Sequence, residues 1–331
     1  MKVLIIRFSS IGDVTQSLSI PLVIKKTYPD AEVHFLTRHD LKDLFLHNES
    51  IDQLWTIDRT ISAINLIKFY RQLNKQKYTH IYDAHNNLRT FLARLFISSE
   101  HNLVRSLERV KRFLLIRFKV NKFEKPFSGQ RDLLQPLKKW NIPFDFPFSI
   151  PTENLFNFSA EELALYKSKW TLPENFITLV PSAAYFLKRW PLKNWHDLIQ
   201  KNPRQTFVIL AGPTDTFTKE LETHSNVINW TGQSSLRESA YIISKSLATI
   251  ANDTGLMHIS EQMGKPTIAL MGPAPFGFPS RKTTKVMEKN LSCRPCSKHG
   301  QGPCVNSNYH ECLASISADE VNSEVQRMVR P

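Results

Sequence analysis

The sequence predicts an α/β protein of two Rossmann-like domains, each built on a parallel sheet. Its 331 residues are more than one hydrophobic core usually serves. In each half, apolar runs of strand length alternate with helical patterns, as in parallel α/β domains. Pro143, Pro147 and Pro151 punctuate an extended stretch between the halves, and we expect the domain linker at residues 147–160.

The N-terminal half opens with a strand, a polar turn and a helix, which is typical of a parallel α/β unit. Predicted strands cover residues 3–8, 32–37, 51–57 and 80–83, and predicted helices cover residues 14–27 and 61–76. The turn after the first strand holds one glycine, Gly12, instead of a G-x-G-x-x-G pattern. This difference argues against a dinucleotide site.

The C-terminal half repeats the alternation. Predicted strands cover residues 176–180, 206–211, 227–230, 247–252 and 266–271, and predicted helices cover residues 192–200, 235–245 and 256–263. Ser317 and Glu320 form a capping box that opens a last helix over residues 318–328. We therefore predict an N-terminal domain at 1–155, a C-terminal domain at 156–316 and a C-terminal helix at 317–331. This helix either packs on the C-terminal domain or crosses back to the N-terminal domain.

The chain is strongly basic, with 43 Lys and Arg against 30 Asp and Glu, a formal net charge of +13. This balance indicates an anionic partner, whether nucleic acid, a membrane surface or a phosphorylated substrate. The excess of positive charge is concentrated between Arg105 and Lys125. The alternative interpretation of this stretch is a basic helix face that only contacts solvent. No apolar run approaches the roughly 18–20 residues of a membrane span, and Arg7 interrupts the apolar start, so we expect a cytoplasmic protein.

The turn at residues 252–258 (N-D-T-G-L-M-H) joins a predicted strand to a predicted helix. Gly255 lets the backbone approach a ligand, and the free amides of a helix N-terminus favour a phosphate there. Asp253 would accept hydrogen bonds from sugar hydroxyls, and Thr254 would donate one to a phosphate. The alternative is that Asp253 or Thr254 only caps the helix.

A second loop, at residues 181–191, also follows a strand and ends in K-R-W-P. Lys188 could neutralise a diphosphate leaving group as its bond breaks, a task that a metal ion would otherwise perform. The sequence has no Asp-x-Asp pair to hold such a metal; a solvated loop lysine is the alternative for Lys188. Residues 212–215 and 231–233 end two further strands, so four strand ends are expected to meet at one crevice.

Asp13 is the candidate catalytic base of the N-terminal half. It lies at the predicted start of the first helix, where the helix dipole should keep its carboxylate ionised. A carboxylate within hydrogen-bond reach of an acceptor hydroxyl can remove its proton during attack on an anomeric carbon. The alternative is a simple N-cap.

Three segments together resemble glycosyltransferase family 9, the ADP-heptose:lipopolysaccharide heptosyltransferases. They are M-K-V-L-I-I-R-F-S-S-I-G-D-V at residues 1–14, K-R-W-P at 188–191, and N-D-T-G-L-M-H-I-S-E-Q-M-G-K-P-T-I-A-L-M-G-P at 252–273. The resemblance spans nearly the whole chain. It implies two facing domains of the glycosyltransferase B type and an inverting transfer that requires no cofactor for catalysis.

The resemblance also implies roles, with Asp13 as the general base and Lys188 at the donor phosphate. Residues expected at the donor are Ser182, Ala183, Ala184, Gly212, Asp215, Asp253, Thr254, Gly255 and His258. Residues expected at the acceptor are Ser9, Ser10, Gly12, Arg109, Lys111 and Arg112. Some family members carry two threonines where this chain has Ala183 and Ala184, and Asp215 is the candidate for an acidic residue that holds the nucleoside. These positions bear on the donor's identity.

The implied partners are ADP-heptose and the anionic lipid A-core glycolipid. A basic stretch carrying Phe113, Phe118 and Phe123 would suit the anionic inner-membrane surface. We expect no nucleic-acid partner, because the sequence shows no helix-turn-helix, RNA-recognition or paired zinc-finger signature. The alternatives are a relative that uses another nucleotide sugar or a protein acceptor, a nucleic-acid-binding protein, and a nucleotide-sugar epimerase.

All four cysteines, Cys293, Cys296, Cys304 and Cys312, fall in one segment. The first two have the C-x-x-C spacing of metal ligands, and in a cytosolic chain such clustering favours metal or plain thiols over disulfides. We predict a structural zinc or iron site, with four reduced thiols as the alternative.

Overall fold

The computed structural model describes residues 1–144 and 155–329. The chain divides into two compact units: unit 1 is Met1–Glu108 with Gly129–Asn157, and unit 2 is Arg109–Ser128 with Phe158–Pro331. Most of the predicted linker at 147–160 lies outside the described residues, so the linker and the predicted domain ranges stay predictions.

Residues 109–128 group with unit 2, although the predicted ranges place them in the N-terminal domain. Aromatic contacts account for this grouping. The Arg112 guanidinium lies 4.2 Å from the ring centroid of Phe276, and the ring centroids of Phe127 and Phe278 are 5.6 Å apart. Cation–π and aromatic pairs of this kind stabilise the packing of the segment on unit 2.

The described residues form strands and helices in alternation. The strands are β1 Lys2–Ile6, β2 Glu32–Arg38, β3 Gln53–Ile57, β4 His80–Asp83, β5 His101–Val104, β6 Ile177–Val180, β7 Phe207–Ile209, β8 Val227–Asn229, β9 Ala248–Asn252, β10 Thr267–Leu270 and β11 Thr284–Met287. The α-helices are α1 Ile11–Ser17, α2 Ser19–Thr27, α3 Ala63–Asn74, α4 Leu88–Phe96, α5 Arg109–Phe118, α6 Gly129–Leu134, α7 Ala160–Lys169, α8 Leu192–Gln200, α9 Leu236–Lys245, α10 Gly255–Gln262, α11 Glu311–Ala314 and α12 Ala318–Val329.

Unit 1 is built on a parallel sheet with strand order β3-β2-β1-β4-β5. The central strand β1 is apolar from Val3 to Ile6, and these residues are buried, as expected for a strand covered on both faces. The chain winds from β1 outward to β3 and then returns to β4 on the other side of β1. The topological switch point therefore lies between β1 and β4, where ligands of open α/β sheets bind.

Unit 2 is built on a parallel sheet with strand order β11-β10-β9-β6-β7-β8. Its switch point lies between β6 and β9, because the chain runs outward from β6 to β8 and returns at β9. Strands β6, β9 and β10 are buried throughout, and the core includes Trp190 and Trp195. The sheet thus holds the loops after β6 and β9 next to each other.

Every predicted strand has a counterpart among the described residues, with bounds that agree to within two positions. The helix predicted over 14–27 is two helices that meet at Leu18, just before Pro21, which cannot donate an amide hydrogen within a continuous helix. Strands β5 and β11 escaped prediction because they are four residues long and partly exposed, so neither shows a clear apolar alternation.

The capping box that opens α12 is confirmed. The Ser317 amide donates to Glu320 Oε2 at 2.8 Å, and the Glu320 amide donates to Ser317 Oγ at 3.2 Å. Val321 and Val325 of α12 join the unit 2 core cluster together with Leu198 of α8. The return of this helix to the N-terminal domain stays a prediction.

No helix of the described residues combines the length and the apolar character needed to cross a membrane.

Candidate active site

Asp13 lies at the switch point of unit 1, in the first turn of α1. The loop after β1 ends at Ser10, which caps α1. The Ser10 amide and hydroxyl donate to Asp13 Oδ2 at 3.2 and 2.9 Å. Asp13 is therefore the acidic member of a capping box rather than the N-cap itself. One third of its side chain is exposed, so a ligand can reach the carboxylate.

Two arginines flank the Asp13 carboxylate. Arg7 Nη2 lies 2.8 Å from Oδ2, and Arg105 Nη1 lies 3.8 Å from Oδ1. Burial raises the pKa of Asp13, but Arg7, Arg105 and the Ser10 hydrogen bonds outweigh burial and hold that pKa well below its usual range. Asp13 is therefore ionised at neutral pH.

The loop after β4 supplies residues that sequence analysis missed. Asp83 is fully buried and accepts hydrogen bonds from the amides of His85 and Asn86 at 3.1 and 2.7 Å. Asn86 Nδ2 donates to the carbonyl of Arg105 at 2.8 Å, which fixes the backbone that carries the second arginine. Burial and the charge of Arg7 lower the pKa of His85 to about 4, so its imidazole is neutral. The signal available in the sequence was the run D-A-H-N-N after a strand adjacent to β1.

The donor-site predictions converge at the switch point of unit 2. Lys188 Nζ lies 2.5 Å from Asp253 Oδ2, and the two side chains are only 15% and 9% exposed. Asn252, buried at the end of β9, accepts a hydrogen bond from the Trp190 amide at 2.9 Å and donates to the Pro181 carbonyl at 2.7 Å. One side-chain amide thus joins the loops after β6 and β9 and brings Lys188 to Asp253.

Helix α10 begins at Gly255, immediately after Asp253 and Thr254 and one residue before the start predicted from the sequence. His258 faces inward: its Nδ1 lies 3.0 Å from Glu261 Oε2. Glu261 in turn accepts hydrogen bonds from the amides of Ser280 and Arg281. His258 is buried and engaged by this carboxylate, and its other nitrogen lies near Gly277.

The remaining donor predictions lie in the loops after β6 and β7, which Arg189 connects. Its guanidinium donates to the Ala183 carbonyl at 3.0 and 3.1 Å and lies 3.1 Å from Asp215 Oδ1. Asp215 Oδ2 accepts from the Gly212 amide at 3.1 Å. Ser182 is buried beside this network, whereas Ala184 is exposed. Arg189 was quoted within K-R-W-P, but its linking role was missed because it depends on contacts distant in sequence.

The predicted acceptor residues divide between the units. Ser9, Ser10 and Gly12 surround the start of α1 in unit 1, whereas Arg109, Lys111 and Arg112 lie on α5 in unit 2.

The four cysteines line one small cavity of about 10 Å³ together with Leu187 and His310. All four are free thiols. Burial and the neighbouring thiols raise the pKa of Cys296, and burial raises that of Cys312 to about 11. In the part of the chain that the structure describes, no three His, Cys, Asp or Glu side chains are already arranged as metal ligands. The thiols are nevertheless brought together, which the sequence spacing predicted.

Known proteins and solved structures resemble this chain over almost its whole length. The family model described as glycosyltransferase family 9 (heptosyltransferase) matches residues 66–310. Lipooligosaccharide heptosyltransferase 2 of Haemophilus ducreyi is 25% identical over 353 residues, which cover 99% of each chain. A glycosyl transferase family 9 structure from Veillonella parvula has a TM-score of 0.78 at 21% identity, covering 99% of this chain and 97% of that one. The structure of E. coli ADP-heptose lipopolysaccharide heptosyltransferase II has a TM-score of 0.71 at 20% identity, covering 99% and 98%.

These likenesses confirm the predicted fold class, an α/β protein with two parallel sheets of the glycosyltransferase B type. They also confirm the family suggested by the three sequence motifs. Because the family model covers most of its length, the chain belongs to glycosyltransferase family 9, the heptosyltransferase family, and is a transferase enzyme.

Proposed function

We propose that this transferase moves heptose from ADP-heptose to a lipopolysaccharide core acceptor, with inversion at the anomeric carbon. The similarity to lipooligosaccharide and lipopolysaccharide heptosyltransferases supports the donor and the acceptor class. The observation that carries the proposal is the Lys188–Asp253 pair beside the N-terminus of α10. It combines a cation for a diphosphate, a carboxylate for sugar hydroxyls and free helix amides at one strand-end site.

In the proposed reaction, an acceptor hydroxyl oxygen bonds to the anomeric carbon of heptose while the bond from that carbon to ADP breaks. ADP leaves with the electron pair, and Asp13 takes the hydroxyl proton. The low pKa of Asp13 makes it a weak base, but the attacking hydroxyl becomes strongly acidic as its oxygen bonds to carbon. Proton transfer late in the step is therefore compatible with this carboxylate.

Lys188 and the amides at the start of α10 would stabilise the charge that develops on the departing diphosphate. The side chain of Lys188 is largely buried, where an electrostatic interaction is stronger than in water. We propose that these groups act in place of a metal ion, since no Asp-x-Asp pair is present in the sequence to hold one.

Calorimetric titration of wild type and Asp253→Ala with ADP-heptose, ADP and UDP sugars tests the donor site. We expect Asp253→Ala to weaken ADP-heptose binding by about 10- to 100-fold, the effect of losing the hydrogen bonds that sugar hydroxyls donate to a charged carboxylate. ADP binding should change much less, because Asp253 is assigned to the sugar. UDP sugars should bind neither protein.

Asp197→Ala is the matched control, because Asp197 lies in the same unit and pairs with Lys193 on the exposed face of α8. Equal ADP-heptose affinity of wild type and Asp253→Ala would contradict the assignment. Preference of the wild type for a UDP sugar would favour the family alternative with another donor.

We further propose that α5 and the residues after it contact the anionic cytosolic face of the inner membrane, where the acceptor resides. Large apolar side chains are exposed there, with Val110 72% and both Phe113 and Phe118 58% exposed. Exposed cations accompany them, including Arg109, Lys111 and Arg117. Apolar side chains inserted between lipid headgroups and cations beside anionic lipids stabilise such binding together.

Reversing Arg109, Lys111 and Arg117 to Glu should greatly reduce cosedimentation with phosphatidylglycerol-containing vesicles. Each cation near such a surface contributes about 1 kcal/mol, so three reversals exceed a 100-fold loss of affinity. Arg112 is left intact because it packs on Phe276. The control reverses three exposed lysines elsewhere in unit 2, Lys167, Lys219 and Lys282. If both triple variants bind the vesicles equally, α5 is not the membrane-binding surface.

A further inference from the structure

Glu261 connects His258 to the loop that follows β10. Its side chain is fully buried on α10, one turn after His258. Glu261 Oε2 lies 3.0 Å from His258 Nδ1, whereas Glu261 Oε1 accepts hydrogen bonds from the backbone amides of Ser280 and Arg281. The two carboxylate oxygens thus have separate partners, one on the helix and the other on the loop.

The buried guanidinium of Arg281 compensates the charge of Glu261. Burial lowers the pKa of Arg281, and the charge of Glu261 opposes this effect. Arg281 Nη2 also donates to Gln262 Oε1 at 2.9 Å, which fixes the guanidinium beside α10. Because an arginine stays protonated in a folded protein, a negative Glu261 balances a charge that would otherwise be buried without a counterion.

The ring of His258 must donate from Nδ1 in this arrangement. A carboxylate only accepts hydrogen bonds, so the nitrogen that lies 3.0 Å from Glu261 Oε2 has to carry a hydrogen. In a neutral imidazole the other nitrogen then has a free lone pair and acts as an acceptor. Glu261 therefore determines that His258 Nε2 accepts a hydrogen bond rather than donating one.

The space in front of His258 Nε2 is open on the side of Gly277. This glycine has a φ of +80°, and a Cβ atom there would lie 3.9 Å from Nε2. Apart from the chain neighbours of Gly277, no other described residue comes within 4 Å of that Cβ position. His258 also lies three residues after Gly255, so its side chain shares a face of α10 with the first helical residue and leans toward the helix N-terminus. A ligand held at that N-terminus can therefore reach Nε2.

We propose that Glu261 is a positioning residue that holds His258 in the Nδ1–H tautomer, so that Nε2 accepts a hydrogen bond from a hydroxyl of the donor sugar. This inference rests on the proposed function, in which the site binds ADP-heptose. A hydroxyl suits Nε2 because it has a hydrogen to donate, whereas an ionised diphosphate oxygen has none. The contact selects for the sugar and adds to the hydrogen bonds assigned to Asp253.

NMR spectroscopy of isotope-labelled histidine tests the tautomer directly. The two tautomers of a neutral imidazole differ in their nitrogen chemical shifts, and the His258→Ala variant identifies the signals of His258. Spectra are recorded at about pH 8, above the ordinary histidine pKa of about 6.5. We expect the hydrogen on Nδ1 in the wild type, and a hydrogen on Nε2 there would overturn the proposal.

Glu261→Gln should move this hydrogen from Nδ1 to Nε2. The glutamine has the same shape, but its oxygen must face the amides of Ser280 and Arg281, which leaves its own amide nitrogen facing His258. Because that nitrogen donates, Nδ1 has to accept, and Nε2 carries the hydrogen. The same NMR measurement detects the change, and an Nδ1–H signal that persists in Glu261→Gln would contradict control of the tautomer by Glu261.

A panel of ADP-heptose analogues, each with fluorine in place of one sugar hydroxyl, tests the contact. Fluorine cannot donate a hydrogen bond, so the wild type should bind the analogue changed at the contacted position about tenfold more weakly than ADP-heptose. Glu261→Gln should lose this discrimination, because Nε2–H can donate to either group. Discrimination at the hydroxyl bound by Asp253 should remain in both proteins. If the affinity ratios of wild type and Glu261→Gln agree for every analogue, the proposal is wrong.

Glu238→Gln is the matched control for neutralising a buried carboxylate. Glu238 lies in the same unit, is 8% exposed and accepts a hydrogen bond from the Ser235 amide at 2.8 Å. This variant should keep the wild-type affinity ratios. The same loss of discrimination in Glu238→Gln would show that the effect of Glu261→Gln is general destabilisation.

Gly277→Ala tests where the sugar lies, because its methyl group would cover His258 Nε2. Gly302→Ala is the control, since Gly302 has a similar φ of +85° but no atom within 4 Å of an added Cβ. We expect Gly277→Ala to bind ADP-heptose about tenfold more weakly than Gly302→Ala, while the two bind ADP within about twofold of each other. Equal ADP-heptose affinity, or an equal loss for ADP, would refute a sugar contact at Nε2.

His258→Ala separates this inference from the proposed function. If the wild type prefers a UDP sugar to ADP-heptose, the proposed donor is wrong, and the heptose contact fails with it. If His258→Ala binds ADP-heptose as the wild type does, the donor assignment can stand but the contact at Nε2 is refuted. If His258→Ala weakens binding while Glu261→Gln keeps every affinity ratio, His258 acts at the donor without Glu261 and the positioning role is refuted.

Discussion

Asp13→Asn should lower kcat for heptosyl transfer by about 10²- to 10⁴-fold, the usual contribution of a general base. Asparagine has nearly the same shape and can still accept hydrogen bonds from Ser10, but it cannot take the acceptor's proton. Binding of ADP-heptose should stay within about twofold of wild type, because the proposed donor residues all lie in unit 2. Single-turnover kinetics with saturating ADP-heptose measure the chemical step directly.

The pH profile provides a second check on Asp13. Its pKa in the folded protein is lowered, so the carboxylate remains ionised as the pH falls from neutrality toward about 5. Protonation of Asp13 should therefore produce no acidic limb in the kcat profile over this range. A wild-type kcat in the Asp13→Asn variant would refute the catalytic role of Asp13. An acidic limb near pH 6 that is present in the wild type and absent from this variant would contradict the lowering of the Asp13 pKa by Arg7 and Arg105.

Lys188→Ala should lower kcat/KM by about 10²- to 10³-fold, comparable to the loss of one preorganised group that stabilises developing charge. Two effects act in the same direction. The departing diphosphate loses its cation, and Asp253, only 9% exposed, loses the partner that lies 2.5 Å away. Steady-state kinetics together with ADP titration separate the two contributions, because ADP affinity reports mainly the phosphate contact.

Lys188→Arg retains the charge and is the conservative comparison for this experiment. The double variant Lys188→Ala with Asp253→Asn tests the pair itself, because residues in contact give non-additive losses. We expect the second substitution to cost less in the absence of Lys188 than in its presence. Fully additive losses, or wild-type kcat/KM in Lys188→Ala, would show that the pair has no joint role at the donor.

The strands and the donor loops could be predicted from sequence because their signals are local. Strands β1 and β9 are apolar runs that can be recognised from the sequence alone. Asp13 and Asp253 lie in the turns or helix starts that follow these strands within a few residues, so their positions could be predicted as well. The contacts of Arg189 could not be predicted in this way. Its link from Ala183 to Asp215 joins two loops that meet only after the sheet has ordered its strands.

The surroundings of Asp13 show the same limit. Arg7 is only six positions away, but Arg105 reaches Asp13 from the end of β5, and Asn86 fixes that arginine from the loop after β4. Sequence analysis assigned Arg105 to a basic stretch and attributed the ionisation of Asp13 to a helix dipole. In the structure, two cations and the hydrogen bonds from Ser10 lower the pKa of Asp13, and one of these cations depends on the packing of β4 beside β5.

The two switch points belong to separate sheets with separate cores, so the proposed base and the proposed donor residues are held by the packing of different units. Natural variation in unit 1 can therefore remodel the surroundings of Asp13 without disturbing the packing that joins Asn252 to Trp190. We expect relatives that share one nucleotide sugar to differ more in their acceptors than in their donors. Exchanging unit 1 together with α5 between two such relatives would then transfer acceptor choice and leave donor choice unchanged.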